Sequence, residues 1–208
     1  MPKRVDHEVR RRQIAEALLG LASTRGLLTV TMRDVAAEAG VSLRLVQYYF
    51  NTKDELWVGS LPYLAERLTA RVTAAIRARG LPPTPRDLVE CTFLAILPTD
   101  EESRWITKTY NAFYALVLAK PKLADHGAPD PDALERFMAT SLRQAQQAGD
   151  IDRSHDPALT AAGLLALTNG LGASVLGGQR PADEAVAILR YHLDRVFTSS
   201  RAGEANQE

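Results

Sequence analysis

The chain has 208 residues, 46% of them hydrophobic and 24% charged, and its 25 lysines and arginines are balanced by 25 acids. These proportions describe an ordered globular protein of one or two domains and exclude a low-complexity or strongly charged disordered chain. A single cysteine, Cys91, excludes an internal disulfide framework; the sequence shows no secretory-signal pattern and no apolar run that reads as a membrane span, so the expectation is a cytoplasmic protein.

Periodicity and breakers predict an all-α fold of about nine helices, with no competing strand pattern. The first runs from about Asp6 to Arg25, with Val9, Ile14, Ala17, Leu18 and Leu21 as an inward stripe, and Gly26 stops it. Thr31 with Asp34 three positions on forms a capping box for the second helix, and Val30 with Val35 forms a hydrophobic staple. Ala36 and Ala39 are small where another helix must approach, Gly40 supplies a turn at positive φ, and Val41 fills the corner. Ser42 caps a third helix, in which Leu45, Val46 and Tyr49 can pack inward while Leu43, Arg44, Gln47 and Tyr48 face out. Two short helices about a tight turn have the layout of a helix-turn-helix DNA reader.

Thr52 and Glu55 make another capping box and open a fourth helix, about Lys53 to Arg79, which Pro62 should kink. Lys53 at its first position opposes the helix dipole unless a phosphate docks there, so Lys53 is expected at DNA phosphate. The Gly80 to Pro85 segment is the clearest break. Helices follow over about Arg86 to Leu97, Ser103 to Ala119, Pro131 to Ala148 (closed by Gly149), Pro157 to Leu176 and Ala182 to Ser199. In the last two, Leu164, Leu167, Leu171 and Val175, then Val186, Leu189, Leu193 and Val196, form apolar stripes with little left to cover them, which points to a homodimer interface. A dimer also suits the reader, because two recognition helices related by a twofold axis fit half-sites about 34 to 36 Å apart.

Charge is unevenly placed. Residues 1–53 hold nine lysines and arginines against five acids, whereas the remainder holds sixteen against twenty, so the positive surplus lies on the reader. Arg11 and Arg12 are expected to reach flanking phosphates.

The residues Thr31, Arg33, Asp34, Val35, Ala36, Ala39 to Ser42, Tyr49, Phe50 and Lys53 to Leu56 resemble the N-terminal domain of the TetR family of transcriptional regulators. That resemblance implies an all-helical homodimer that binds operator DNA and a small-molecule inducer, here with a DNA-binding domain over 1–52, a ligand-binding and dimerisation domain over 53–200 connected by the fourth helix, and a flexible tail over 201–208. Arg44 and Gln47 stand where many members carry glycine and tyrosine, so the base-reading surface is not the commonest one. Leu43, Arg44 and Gln47 are expected at bases, with Arg44 suited to guanine and Gln47 to adenine, and Thr31, Arg33, Ser42, Tyr48, Tyr49 and Lys53 at phosphates.

The region from Trp105 onward resembles the C-terminal domain of BetI-type repressors, the choline-responsive branch. Trp105, Tyr110, Phe113 and Tyr114 are candidate walls for a cationic ligand. Asn111 and Asn169, read as buried amides needing partners, together with Phe93, Phe137 and Met138, complete a candidate effector pocket. No cofactor or metal is expected, since His7, His126, His155 and His192 share no ligand spacing with Cys91 or one another. Nor is an enzyme: Ser154, His155 and Asp156 are adjacent, which precludes triad geometry, and they read as a helix cap.

Overall fold

The computed structural model describes residues 2–80, 82–120, 123 and 132–197, with side chains from Asp6 onward. The expected tail over 201–208 and His126 fall outside the described residues. Within them lie nine α-helices and no strand: α1 (Pro2–Arg25), α2 (Met32–Glu38), α3 (Leu43–Tyr49), α4 (Lys53–Arg79), α5 (Pro85–Ile96), α6 (Glu101–Ala119), α7 (Ala133–Ala148), α8 (Pro157–Leu176) and α9 (Ala182–Phe197). The first helix begins one turn earlier than its apolar stripe suggested, and Val9, assigned to that stripe, is exposed.

Two compact units divide the chain, one within 1–68 and 105–130, the other within 69–104 and 131–208. The long helices α4 and α6 each contribute to both, so the units do not follow a single cut in the sequence. In the first unit, Ile14, Leu18 and Leu19 of α1 pack with Val35, Val46, Phe50, Leu56 and Trp57, and α6 adds Ile106, Phe113 and Leu116 to the same core. Val30 and Val35 are both buried there, as a staple requires. In the second, Val89 and Phe93 of α5 meet Met138 and Leu142 of α7, Leu164 and Leu171 of α8, and Leu189 and Leu193 of α9.

Caps end these helices where residue chemistry favours it. Thr84 closes a capping box with Asp87 at the start of α5, and the Asp156 carboxylate accepts the N–H groups of Ala158 and Leu159 at 2.8 and 3.0 Å to start α8. Asp156 is thus a cap, as read from Ser154-His155-Asp156. The α4 helix continues through Pro62. Glu90 is buried between three arginines, with Arg79 at 2.8 Å, Arg190 at 3.1 Å and Arg86 at 3.9 Å, a network that ties the end of α4 to α5 and α9. Cys91 beside it is buried, and that burial pushes its thiol pKa up, so it behaves as an apolar core residue.

One expectation fails on composition. The α8 helix has no charged residue over 20 positions and is long and apolar enough to cross a bilayer, contrary to the reading that no such run exists. Only a third of it is buried within the chain.

Candidate nucleic-acid interface

Three local devices shape the reading segment. Thr31 is extended (φ −102°, ψ 161°); its hydroxyl oxygen accepts the Asp34 N–H at 3.2 Å, and its own N–H donates to Asp34 Oδ2 at 2.8 Å. The Thr31 hydroxyl also donates to Asp34 Oδ2 at 2.5 Å, and donation to the carboxylate favours the ionised acid, so Asp34 is held below its ordinary carboxyl value, chiefly by the Thr31 hydroxyl and next by the Thr31 backbone N–H. Gly40 then adopts φ +64°, which a side chain would strain, and lets Val41 N–H reach Ala36 C=O at 2.9 Å. Finally Ser42 Oγ accepts the Leu45 N–H at 3.1 Å and starts α3.

Helical spacing then sorts the side chains of α3. Val46 and the following Phe50 are fully buried, while Ser42, Arg44, Gln47 and Tyr48 are exposed, as are Thr31 and Arg33 before and on α2. Arg44 and Gln47 have no side-chain partner among the described residues, so their donors face solvent. Leu43 differs from expectation: it is half-buried against the core of the unit and offers only part of its surface.

Tyr49 is also half-buried, and a partner invisible to local reading holds it. The His7 ring of α1 lies 4.5 Å from that of Tyr49, and Tyr49 lies 5.2 Å from Tyr48 in an edge-to-face arrangement. A separation of 42 positions leaves no pattern from which this contact could have been read.

Lys53 sits at the first turn of α4 but does not simply project into solvent. Its Nζ donates to Leu28 C=O at 3.1 Å and lies 4.6 Å from the Trp57 ring centroid. Burial lowers its pKa, and the charge of Lys120 lowers it further. The expected Thr52–Glu55 box is half made: Thr52 Oγ1 accepts the Glu55 N–H, but the Glu55 carboxylate turns to the backbone and side-chain N–H groups of Asn51. Arg11 and Arg12, expected at phosphates, are instead engaged within the unit. The Arg11 guanidinium lies over Phe50 at 4.6 Å, and Arg12 pairs with Glu66 at 2.8 Å, because α1 packs its basic face on α4. Beside them Tyr63 donates to Glu8 at 2.8 Å, and its phenol is pushed up to about 12, first by burial.

The candidate effector residues fall in both units. Phe113 is core of the first unit, whereas Phe93 and Met138 are completely buried core of the second. Tyr110, Tyr114 and Phe137 are exposed at 47%, 57% and 50%. Asn111 and Asn169 are exposed as well, so the need of a buried amide for a partner does not arise. Trp105 is half-buried, and the Arg67 guanidinium lies 4.4 Å from its ring centroid, so an internal cation already stacks on it.

The apolar stripes of α8 and α9 also need correction. Leu164, Leu171, Val175, Leu189, Leu193 and Val196 are at most 9% exposed within one chain, and Leu167 and Val186 pack against the same core. They pack within the core of α5, α7, α8 and α9, and Leu164, Leu167 and Val196 in addition border an open groove between α8 and α9. What remains uncovered on α8 is a different stripe, Leu159, Gly163, Ala166, Gly170 and Ala173, spaced alternately four and three residues apart. On α9 Tyr191, His192 and Arg195 are exposed, and an open groove between the two helices is lined by Gly163, Leu167, His192 and Arg195.

The family described as bacterial regulatory proteins, tetR family, matches residues 14–58, and that described as BetI-type transcriptional repressor, C-terminal, matches residues 85–198. The HTH-type transcriptional regulator PksA of Bacillus subtilis is 32% identical over 82% of this chain and 80% of its own. Among solved structures, a TetR-family transcriptional regulator from Rhodococcus sp. superposes with a TM-score of 0.79 at 28% identity, covering 90% of this chain and 98% of that one. A transcriptional regulator from Saccharomonospora viridis in complex with choline gives 0.76 at 25% identity, over 88% and 95%. The capped, outward-turned α3 lies within the first match and the helices from α5 to α9 within the second, which by itself spans more than half the chain; the protein belongs to the TetR family of bacterial transcriptional regulators, with a BetI-type C-terminal domain.

Proposed function

We propose that this regulator is a dimeric repressor that a small-molecule effector releases from a palindromic operator in the cytoplasm. The observation that carries the DNA half is the pairing of Val46 and Phe50, buried, with Arg44 and Gln47, exposed and unpartnered, on one short capped helix. A rigid inner face fixes the helix while the outer face keeps its donors for bases. Arg44 suits guanine and Gln47 adenine, with Leu43 as an apolar neighbour; Thr31, Arg33, Ser42, Tyr48, Tyr49 and Lys53 take phosphates.

Dimerisation is assigned to the uncovered side of α8 with α9. In the heptad-like run Leu159, Gly163, Ala166, Gly170 and Ala173 the four members after Leu159 are small and admit close helix approach, and space is open around Gly163 and Gly170. Uncharged surface of this extent is costly to leave in water, and a second copy covers it.

The effector is assigned to the region carrying Trp105, Tyr110 and Tyr114, with a cationic ligand favoured by the choline complex of the Saccharomonospora viridis relative. Effector binding shifts α4, which contributes to both units, and so changes the spacing of the two reading heads. A constitutive dimer without an effector is the second reading, favoured by the complete burial of Phe93 and Met138, which places two of the expected pocket walls inside a filled core.

Selection of binding sites from random duplexes tests the DNA half: a palindrome with two half-sites about one helical turn apart is expected, and unselective enrichment would refute it. A thermal-shift screen of quaternary ammonium compounds, followed by operator release, separates the sensor from the constitutive dimer.

A further inference from the structure

Lys120 directly follows α6, its N–H bonded to Leu116 C=O at 2.8 Å, and yet its ammonium stands at the start of α4. It lies 3.1 Å from Asp54 Oδ1 and 5.1 Å from the Trp57 ring centroid, the same indole over which Lys53 lies at 4.6 Å. Two cations thus converge on one ring, and the repulsion between them contributes to the lowered pKa of Lys53 after burial. Of the acids nearby, Asp54 is in direct contact with Lys120, Glu55 is hydrogen-bonded to Asn51 and Asp34 to Thr31, and the Lys53 ammonium has only the Leu28 carbonyl as hydrogen-bond partner among the described residues. The helix start adds further positive potential. The side chains of Lys120 and Asp54 are 48% and 35% exposed, so an incoming anion can reach the pair. Backbone phosphates at the two ammonium groups would offset the repulsion between them.

We propose that Lys120 is a DNA-backbone contact delivered from α6, which takes the phosphate next to that of Lys53 and extends the nucleic-acid surface beyond the helix-turn-helix. This rests on the reading that α3 lies in the major groove, next to which the start of α4 meets the phosphates. It also makes the grip on DNA depend on the position of α6, outside the reading helices.

The test is the salt dependence of binding by the full chain to its selected duplex, compared across four variants. Each phosphate contact contributes about 0.9 to the slope of log affinity against log salt, so Lys120→Gln should lower the slope of a dimer by about 1.8 and its affinity about 30-fold near 0.15 M salt. Lys120→Arg should keep the slope. Lys108→Gln makes the same charge change on the same helix, 12 residues or about 18 Å away, and should leave the slope unchanged. Asp54→Asn should tighten binding. A lysine that serves only as the partner of Asp54 predicts instead that Lys120→Gln and Asp54→Asn shift binding in the same direction. That outcome, equal slopes for Lys120→Gln and Lys108→Gln, or loss of slope in Lys120→Arg overturns the proposal. Failure of the wild-type chain to bind any duplex would overturn the DNA reading beneath it, a result distinct from an unchanged slope in the variant.

Discussion

The reading helix α3 and the paired helices α8 and α9 pose the same problem to opposite ends of the chain: an amphipathic helix has two faces, and function depends on which one is left over. In α3 the inner face is apolar and the outer face polar, so Val46 and Phe50 against Arg44 and Gln47 sort themselves by chemistry alone. In α8 every face is uncharged, and Leu164, Leu171 and Val175 go into the chain's own core together with the small Ala161 and Gly172, while Leu159, Gly163, Ala166, Gly170 and Ala173 stay outside. A patterned helix declares its exposed face; an apolar one does so only after packing.

The largest expected effect breaks that comparison directly. Ala166→Arg places a charge in the uncovered α8 stripe and should yield folded monomers by light scattering, with operator affinity falling by about 100- to 10,000-fold as the second reading head is lost. A dimer that persists with full affinity would remove α8 from the interface. Leu189→Ala, on the buried side of α9, should instead cost about 2 to 5 kcal/mol of unfolding free energy in denaturant titrations. Its oligomeric state at low denaturant should be unchanged.

The reader answers on a smaller scale. Arg44→Ala should relax base choice at one operator position by about 1 to 3 kcal/mol of discrimination in a competition assay with single-base variants. Uniform weakening across all sequences would make Arg44 a phosphate contact.

This contrast explains what was legible beforehand. Helix number, the turn at Gly40, the caps at Thr31, Ser42 and Asp156, and the exposed Arg44 and Gln47 follow from chemistry within a few residues of one another. Contacts across tens of positions did not: His7 on Tyr49, Arg67 on Trp105, Arg12 on Glu66 and Lys120 on Asp54 join helices whose approach no local pattern encodes. The exposed Asn111 and Asn169 and the buried Leu164 and Leu193 were misplaced for the same reason, since periodicity marks a face without naming what lies against it.

The smallest effect compares one device used twice. Thr31 with Asp34 in the reader and Thr84 with Asp87 at α5 are capping boxes of the same geometry, and each acid is held below the ordinary carboxyl value of 3.8, first by the threonine hydroxyl and next by its backbone N–H. A carboxylate with a lowered folded pKa binds its proton more readily in the unfolded chain, so its stabilisation is present above the ordinary value and is lost as pH falls through the folded one. Asp87 has in addition a hydrogen-bonded ion pair with Arg79 at 3.2 Å, whereas Arg25 stands 4.0 Å from Asp34. Asp87→Asn should therefore flatten the acid side of the stability profile, below about pH 4, more than Asp34→Asn does. Thermal melts of both variants between neutral and strongly acidic pH check this: the offset from wild type should be present at neutral pH, shrink on acidification, and be larger for Asp87→Asn. Equal offsets would mean that the box alone sets the effect and that Arg79 serves Glu90 rather than the cap.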